Sequence, residues 1–166
     1  MSIISPSTPT GYSLFCDDIR QEDNGKQIII GMYSGDLLAT SFPILLPNFR
    51  VLIHYQERFK ESDLPVKVTI TAPAAPGEDI VVFQFDMPRE SFDRVQVPTD
   101  SVDEPFVSTV LNAAFSPIIF THAGRIKVRA YRGDDEIRLG TLRIRLRSEW
   151  ENEQQKAAEA MKEAAN

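Results

Sequence analysis

The chain has 166 residues, 42% of them hydrophobic and 25% charged, which is enough for one domain with its own core and no staple. A net charge of −6, from 24 acidic against 18 basic residues, argues against general nucleic-acid binding, which needs basic surface to displace counterions. One cysteine, Cys16, excludes an intrachain disulfide, and no run approaches the about 18 consecutive apolar residues that would span a membrane.

Residues 1–11, MSIISPSTPTG, are rich in Ser, Thr and Pro and read as a flexible N-terminal arm. The arm has no Lys or Arg and no long apolar run, so it does not read as a secretory leader, and a cytoplasmic location is expected. A β-sandwich domain is expected over 12–147. The apolar residues there recur with period two or in short continuous runs bounded by turn residues. The predicted strands are Tyr12 to Cys16, Gln27 to Tyr33, Phe49 to Arg58, Val66 to Ala72, Ile80 to Asp86, Val107 to Phe115, Arg125 to Tyr131 and Ile137 to Arg147.

The first ends at the start of CDDIRQEDNGKQIIIGMYSGD, Cys16 through Asp36, and the second lies within it. Its acids invite a calcium loop, but counting back from Gly25 places Arg20 at the first ligand position, and Gly31 and Gly35 fail similarly. Asp17 and Asp18 are neighbours at a strand end and point to opposite faces. Asp23, Asn24 and Gly25 carry turn chemistry, so the stretch reads as a hairpin. Gly25-Lys26 is not a phosphate-binding loop, because Arg20 stands where a glycine is needed. Cys16 on an apolar strand reads as a small buried residue. His54 faces away from Ile53 and Tyr55, and His122 lies in a turn with no partner spacing. No nucleophile–base or acid–base constellation appears, so no enzyme, metal or cofactor is expected.

The last hairpin shows the clearest alternation. GRIKVRAY and IRLGTLRIRLR flank the turn RGDDE. Ile126, Val128 and Ala130 face one way, with Leu142, Ile144 and Leu146. Arg125, Lys127 and Arg129 face the other, with Arg143, Arg145 and Arg147, as a half-buried antiparallel pair requires. These six cations form the candidate interaction surface. Either neighbouring strands and the acidic tail neutralise them, or they receive an acidic partner.

Residues 148–166 contain no Pro or Gly and are rich in Ala, Glu, Gln and Lys. A helix is expected from Glu149 to about Ala165, with Ser148 and Glu151 as its capping box. Trp150, Ala157, Met161 and Ala164 share a stripe that docks weakly, pairs with another chain or stays solvated.

The stretch CDDIRQEDNGKQIIIGMYSGD, followed by FPILLPNF at 42–49, resembles the start of a family of small, uncharacterised bacterial and phage-associated proteins. The acidic strand end, the NGK turn, the I-x-G-x-Y strand and the Leu-Pro segment carry the likeness, which runs over residues 12–147. It implies an immunoglobulin-like sandwich and carries no activity and no site residues. The order PFVSTVLNAAFSPIIFTHAGRIKVRAYRGDDEIRLGTLRI is also similar to the last strands of many immunoglobulin-like domains. That places Pro105 and Pro117 at edges or corners.

The expected fold is therefore all-β: an antiparallel immunoglobulin-like β-sandwich with a C-terminal α-helix. Its expected core is Phe15, Ile28, Ile30, Val51, Ile53, Val68, Ile70, Phe83, Phe85, Leu111, Phe115, Ile126, Val128, Leu142 and Ile144. The expected function is a non-catalytic protein-interaction or structural module. Its partner is another protein, or a second copy through the helix, with no nucleic acid and no membrane. The alternative is a module that binds carbohydrate or a divalent cation through acidic turns around Asp17, Asp23 and Asp36.

Overall fold

The computed structural model describes residues 9–58, 64–88 and 106–164. In chain order the first six strands are β1 (Thr10–Cys16), β2 (Asp18–Gln21), β3 (Gln27–Ile30), β4 (Asp36–Ala39), β5 (Ile44–Leu46) and β6 (Phe49–Arg58). Then follow β7 (Val66–Ala75), β8 (Glu78–Met87), β9 (Phe106–Phe115), β10 (Ile118–Phe120), β11 (Gly124–Arg132) and β12 (Asp135–Leu146). One helix, α1 (Arg147–Ala164), closes the described chain. The expected arm lies mostly outside the described residues, and its last two, Thr10 and Gly11, already belong to β1. Pro105 and Ala165 also lie outside them.

Two larger sheets share one core. The first has the order β1-β6-β9, antiparallel throughout; the second has the order β4-β12-β11-β7-β8. Two small ladders, β2-β3 and β10-β5, complete the architecture. The expectation of a purely antiparallel body fails at one place: β4 pairs parallel with β12, Asp36 beside Arg143 through Ala39 beside Leu146. About a hundred residues separate the two strands, so no short turn dictates their direction. The amide of Arg143 donates to the carbonyl of Gly35 at 3.0 Å and extends the pairing.

The alternation read from the sequence places the core correctly in the central strands. Val51, Ile53, Val68, Ile70, Ile126, Val128, Leu142 and Ile144 are all buried, with Phe15 beside them. Three expected core residues are not in it. Ile28 and Ile30 are 45% and 38% exposed, because β3 belongs to a two-stranded hairpin outside the main sheets. Phe85 is 40% exposed, because β8 is an edge strand. Phe83, Leu111 and Phe115 are only partly buried at the core margin. The aromatic centre is Phe49, whose ring has Phe15, Tyr33, Phe115 and Phe120 at centroid distances of 5.9–6.3 Å. Glu57 is also buried: it accepts a 3.0 Å hydrogen bond from the Tyr55 hydroxyl and lies 3.3 Å from Arg132 Nε. A charge removed from water needs such partners.

Strand β12 is kinked by a bulge. Val128 pairs with Gly140 and Arg129 with Arg138, so Leu139 is the extra residue. The bulge changes the parity of burial: Leu139 points inward ahead of it, Leu142 and Ile144 after it. Strand β1 lies directly over this point. A Cβ on Gly140 would sit 1.9 Å from Ser13 Oγ, and the Ser13 hydroxyl donates to the Leu139 carbonyl at 3.2 Å. Glycine here allows close backbone approach.

Strand passes into helix without a loop: Leu146 ends β12 and Arg147 opens α1. Ser148 therefore lies inside the helix, and the expected capping box does not form the helix start. Trp150 is half-buried, whereas every residue from Glu151 to Glu163 is exposed.

Candidate interaction surface

Strands β11 and β12 put their polar residues on the outer face of the five-stranded sheet. Arg125 stands directly opposite Arg143, and Lys127 opposite Thr141. Past the bulge, Arg129 stands opposite Arg138. The six cations expected to form one basic face divide into two groups.

Three of them are already engaged. Lys127 Nζ lies 2.6 Å from Asp79 Oδ2 on β8. Arg129 Nε lies 3.2 Å from Glu136 Oε1, and its Nη1 donates to the carbonyls of Val128 at 2.9 Å and Gly140 at 3.3 Å. That side chain ties the bulge together. Arg145, expected on an open face, is only 5% exposed. Its Nη2 donates to Asp36 Oδ2 at 2.7 Å, and its Nη1 bonds Glu153 of α1. Burial works against the Arg145 charge, but the bonds to Glu153 and Asp36 outweigh it and raise its pKa. The same bond to Arg145 holds the Glu153 carboxyl below its ordinary value.

The other three are exposed. Arg143, 46% exposed, has Glu153 Oε1 at 3.7 Å. Arg125 and Arg147 are exposed, and neither has an ion-pair partner among the described residues. Arg138, which the alternation left unplaced, joins this face with Glu136 at 3.7 Å. The signal for it was the glycine inside the strand, which marks a bulge and a change of facing.

The acidic turns do not gather. Gly25 adopts φ 80° in the β2–β3 turn, where the Lys26 amide donates to Asn24 Oδ1 at 3.0 Å, as the NGK reading requires. Asp17 accepts a 2.5 Å bond from the Tyr33 hydroxyl, and burial together with that bond raises the Tyr33 pKa. Asp36 is held by Arg145. Among the described residues no three His, Cys, Asp or Glu side chains converge as metal ligands.

Cys16 is fully buried, and burial, then Asp17 and Asp18, push its thiol pKa up, against nucleophilic use. His54 faces outward from β6, stacked on Tyr12 at 5.1 Å, with Ser108 Oγ 3.1 Å from Nε2. Among the described residues no carboxylate orients its other ring nitrogen, as a serine–histidine catalyst would require. A cleft of about 440 Å³ opens beside Lys67, Asp86, Met87 and Tyr131, with Lys67 Nζ 5.6 Å from the Tyr131 ring centroid. No helix among the described residues is long and apolar enough to cross a membrane.

Comparison with known proteins finds no match among curated proteins and none among solved structures. One family model matches, over residues 11–145, a span that runs from β1 to the penultimate residue of β12 and leaves out α1. The chain therefore belongs to DUF6941, a family of unknown function.

Proposed function

We propose that the chain is a non-catalytic interaction module on an immunoglobulin-like sandwich. The outer face of its five-stranded sheet receives an acidic segment of another protein. The observation that carries this is the cross-strand pair Arg125 and Arg143. Like charges directly opposite each other destabilise a sheet. A carboxylate placed between them replaces repulsion with two charge-assisted bonds. Lys127, Arg129 and Arg145 are held closely by carboxylates, whereas Arg143 has only the exposed Glu153 at 3.7 Å, so the receptive end is Arg125, Arg143 and Arg147, beside the start of α1.

The test is a titration of the isotope-labelled chain with a glutamate-rich peptide, followed by amide shifts. Shifts are expected at Arg125, Arg143 and Arg147, with affinity falling as salt rises. Replacing Arg125 and Arg143 together by glutamine is expected to weaken binding about tenfold. Equal affinity in that double variant ends the proposal. Sedimentation of the chain with and without residues 148–166 tests self-association through α1, which would appear as a larger species only in the intact chain.

A further inference from the structure

The two edges of the five-stranded sheet are built differently. Strand β4 is four residues long, and Arg145 and Glu153 bring α1 against it. Strand β8 is ten residues long; β7 pairs one side of it, and no strand among the described residues pairs the other. An open edge presents unpaired amides and carbonyls in strand geometry, and edges are commonly blunted by lysine or proline. The β8 sequence, EDIVVFQFDM, contains neither. It has a bulge at Val82, between the pairs Ile70–Phe83 and Thr71–Val81, and keeps a regular ladder with β7 from Phe83 to Met87.

Its side chains are apolar where a neighbour strand would lie. Ile80 and Val81 are 53% and 58% exposed. Phe85 stands opposite Val68, a fully buried residue, so it faces the core side and yet remains exposed. The ionisable groups of β8 are all acidic: Glu78 and Asp79 at one end, Asp86 near the other. Asp79 is held by Lys127, whereas among the described residues Asp86 takes a bond only from the neighbouring Gln84, at 2.9 Å. Lys67, opposite Asp86, lies over Tyr131 instead. Two copies of β8 paired antiparallel about their midpoint would set Asp79 against Asp86, and like charges in that position repel.

We propose that β8 is a strand-addition site for an extended apolar segment of a different protein that carries lysine or arginine at both ends. The backbone ladder supplies affinity, as in strand augmentation generally, and pockets for alternate side chains supply selectivity. The incoming strand covers Phe85. Its basic ends meet Glu78 and Asp86, and one side chain enters the cleft beside Asp86 and Met87.

A peptide of alternating valine and threonine with two lysines at each end is the probe. Exchange of the alternate β8 amides that point away from β7 is expected to be fast in the free chain and slowed by the peptide. A peptide with glutamates in place of the lysines is expected to bind at least about tenfold more weakly. D86K is expected to narrow that preference. Three results overturn the proposal: protection of the β8 amides that point away from β7 before any peptide is added, no protection of them at saturating peptide, or equal binding of the two peptides. A basic peptide is not drawn to Arg125 and Arg143, so the outcome is independent of the proposed acidic-partner surface.

Discussion

The guanidinium of Arg145 on β12 lies 2.7 Å from the carboxylate of Asp36 on β4, and the same group bonds Glu153 on α1. One side chain thus joins a parallel edge strand, the strand beside it and the terminal helix. Replacing Arg145 with methionine keeps the aliphatic stem and removes both bonds. The helix is expected to loosen from the sheet: amides of residues 147–153 exchange faster, and Trp150 fluorescence shifts to the red as the half-buried indole meets water. Unchanged exchange in the helix would show that apolar contact alone holds it.

That joint carries a pH dependence with a definite sign. Glu153 has a folded pKa below its ordinary 4.5, because Arg145 favours its charged form. Its contribution is therefore present above about pH 4.5 and is lost as pH falls through the depressed folded value. Helix amide exchange should accelerate in that acid window. E153Q should exchange faster at neutral pH and show a weaker dependence below pH 4.5.

A second pH effect lies at the opposite extreme. Tyr55 has its pKa raised above the ordinary 10.0 by burial, then by the charge of Glu57 and its hydrogen bond to it. The neutral phenol stabilises the fold fully below pH 10, and that part is lost as pH rises toward the folded value. The Tyr55 hydroxyl also donates to a buried carboxylate. Y55F should lower stability at pH 7 by about 1–3 kcal/mol and lessen the fall in stability above pH 10, both measured by denaturant titration.

Gly11 tests the packing of β1. A Cβ there would lie 2.2 Å from the His54 carbonyl and 2.8 Å from Leu139 Cδ2. The Leu139 methyl can turn aside, but the β6 carbonyl is backbone and cannot yield without β1 moving off β6. G11A should cost about 1–3 kcal/mol, the range for overpacking, seen as a melting temperature lower by about 2–4 °C per kcal/mol. Gly25 is the control: an added Cβ there has nothing within 4 Å, although its φ of +80° still strains alanine. G25A should cost about 1–2 kcal/mol and leave the contact of β1 with β12 intact.

The central strands were readable from the sequence because burial on one face imposes period two, as in Val51, Ile53 and Tyr55 or Ile126, Val128 and Ala130. The hairpin of β11 and β12 was readable for the same reason, apart from Leu139, where a bulge reverses the parity that alternation assumes. The turn at Asn24 and Gly25 was readable because its chemistry is local. Strands β4, β5 and β10 were not: each has three or four residues, too few to show a period, and the partner of β4 lies about a hundred residues away. Ile28 and Ile30 look like core in a row of three isoleucines, yet nothing local says that their hairpin stands outside the two sheets. Arg145 was placed on the outer face by its alternation. The cover over it comes from Asp36 and Glu153, which share no local pattern with it.

Strand β1 pairs with β6 and β2 with β3. Among the described residues, however, β4 pairs only with β12, and the outer contact of β1 is the bulge of β12, so part of the early chain finds its final neighbours only in residues 135–146. A chain emerging from the ribosome can therefore pair β1 with β6 and β2 with β3 early, but holds β4 without its mate until β12 has been made. Such delayed, long-distance matching makes for slow maturation. It also means that shortening the chain before residue 146 should leave an unsettled front half rather than a smaller folded protein.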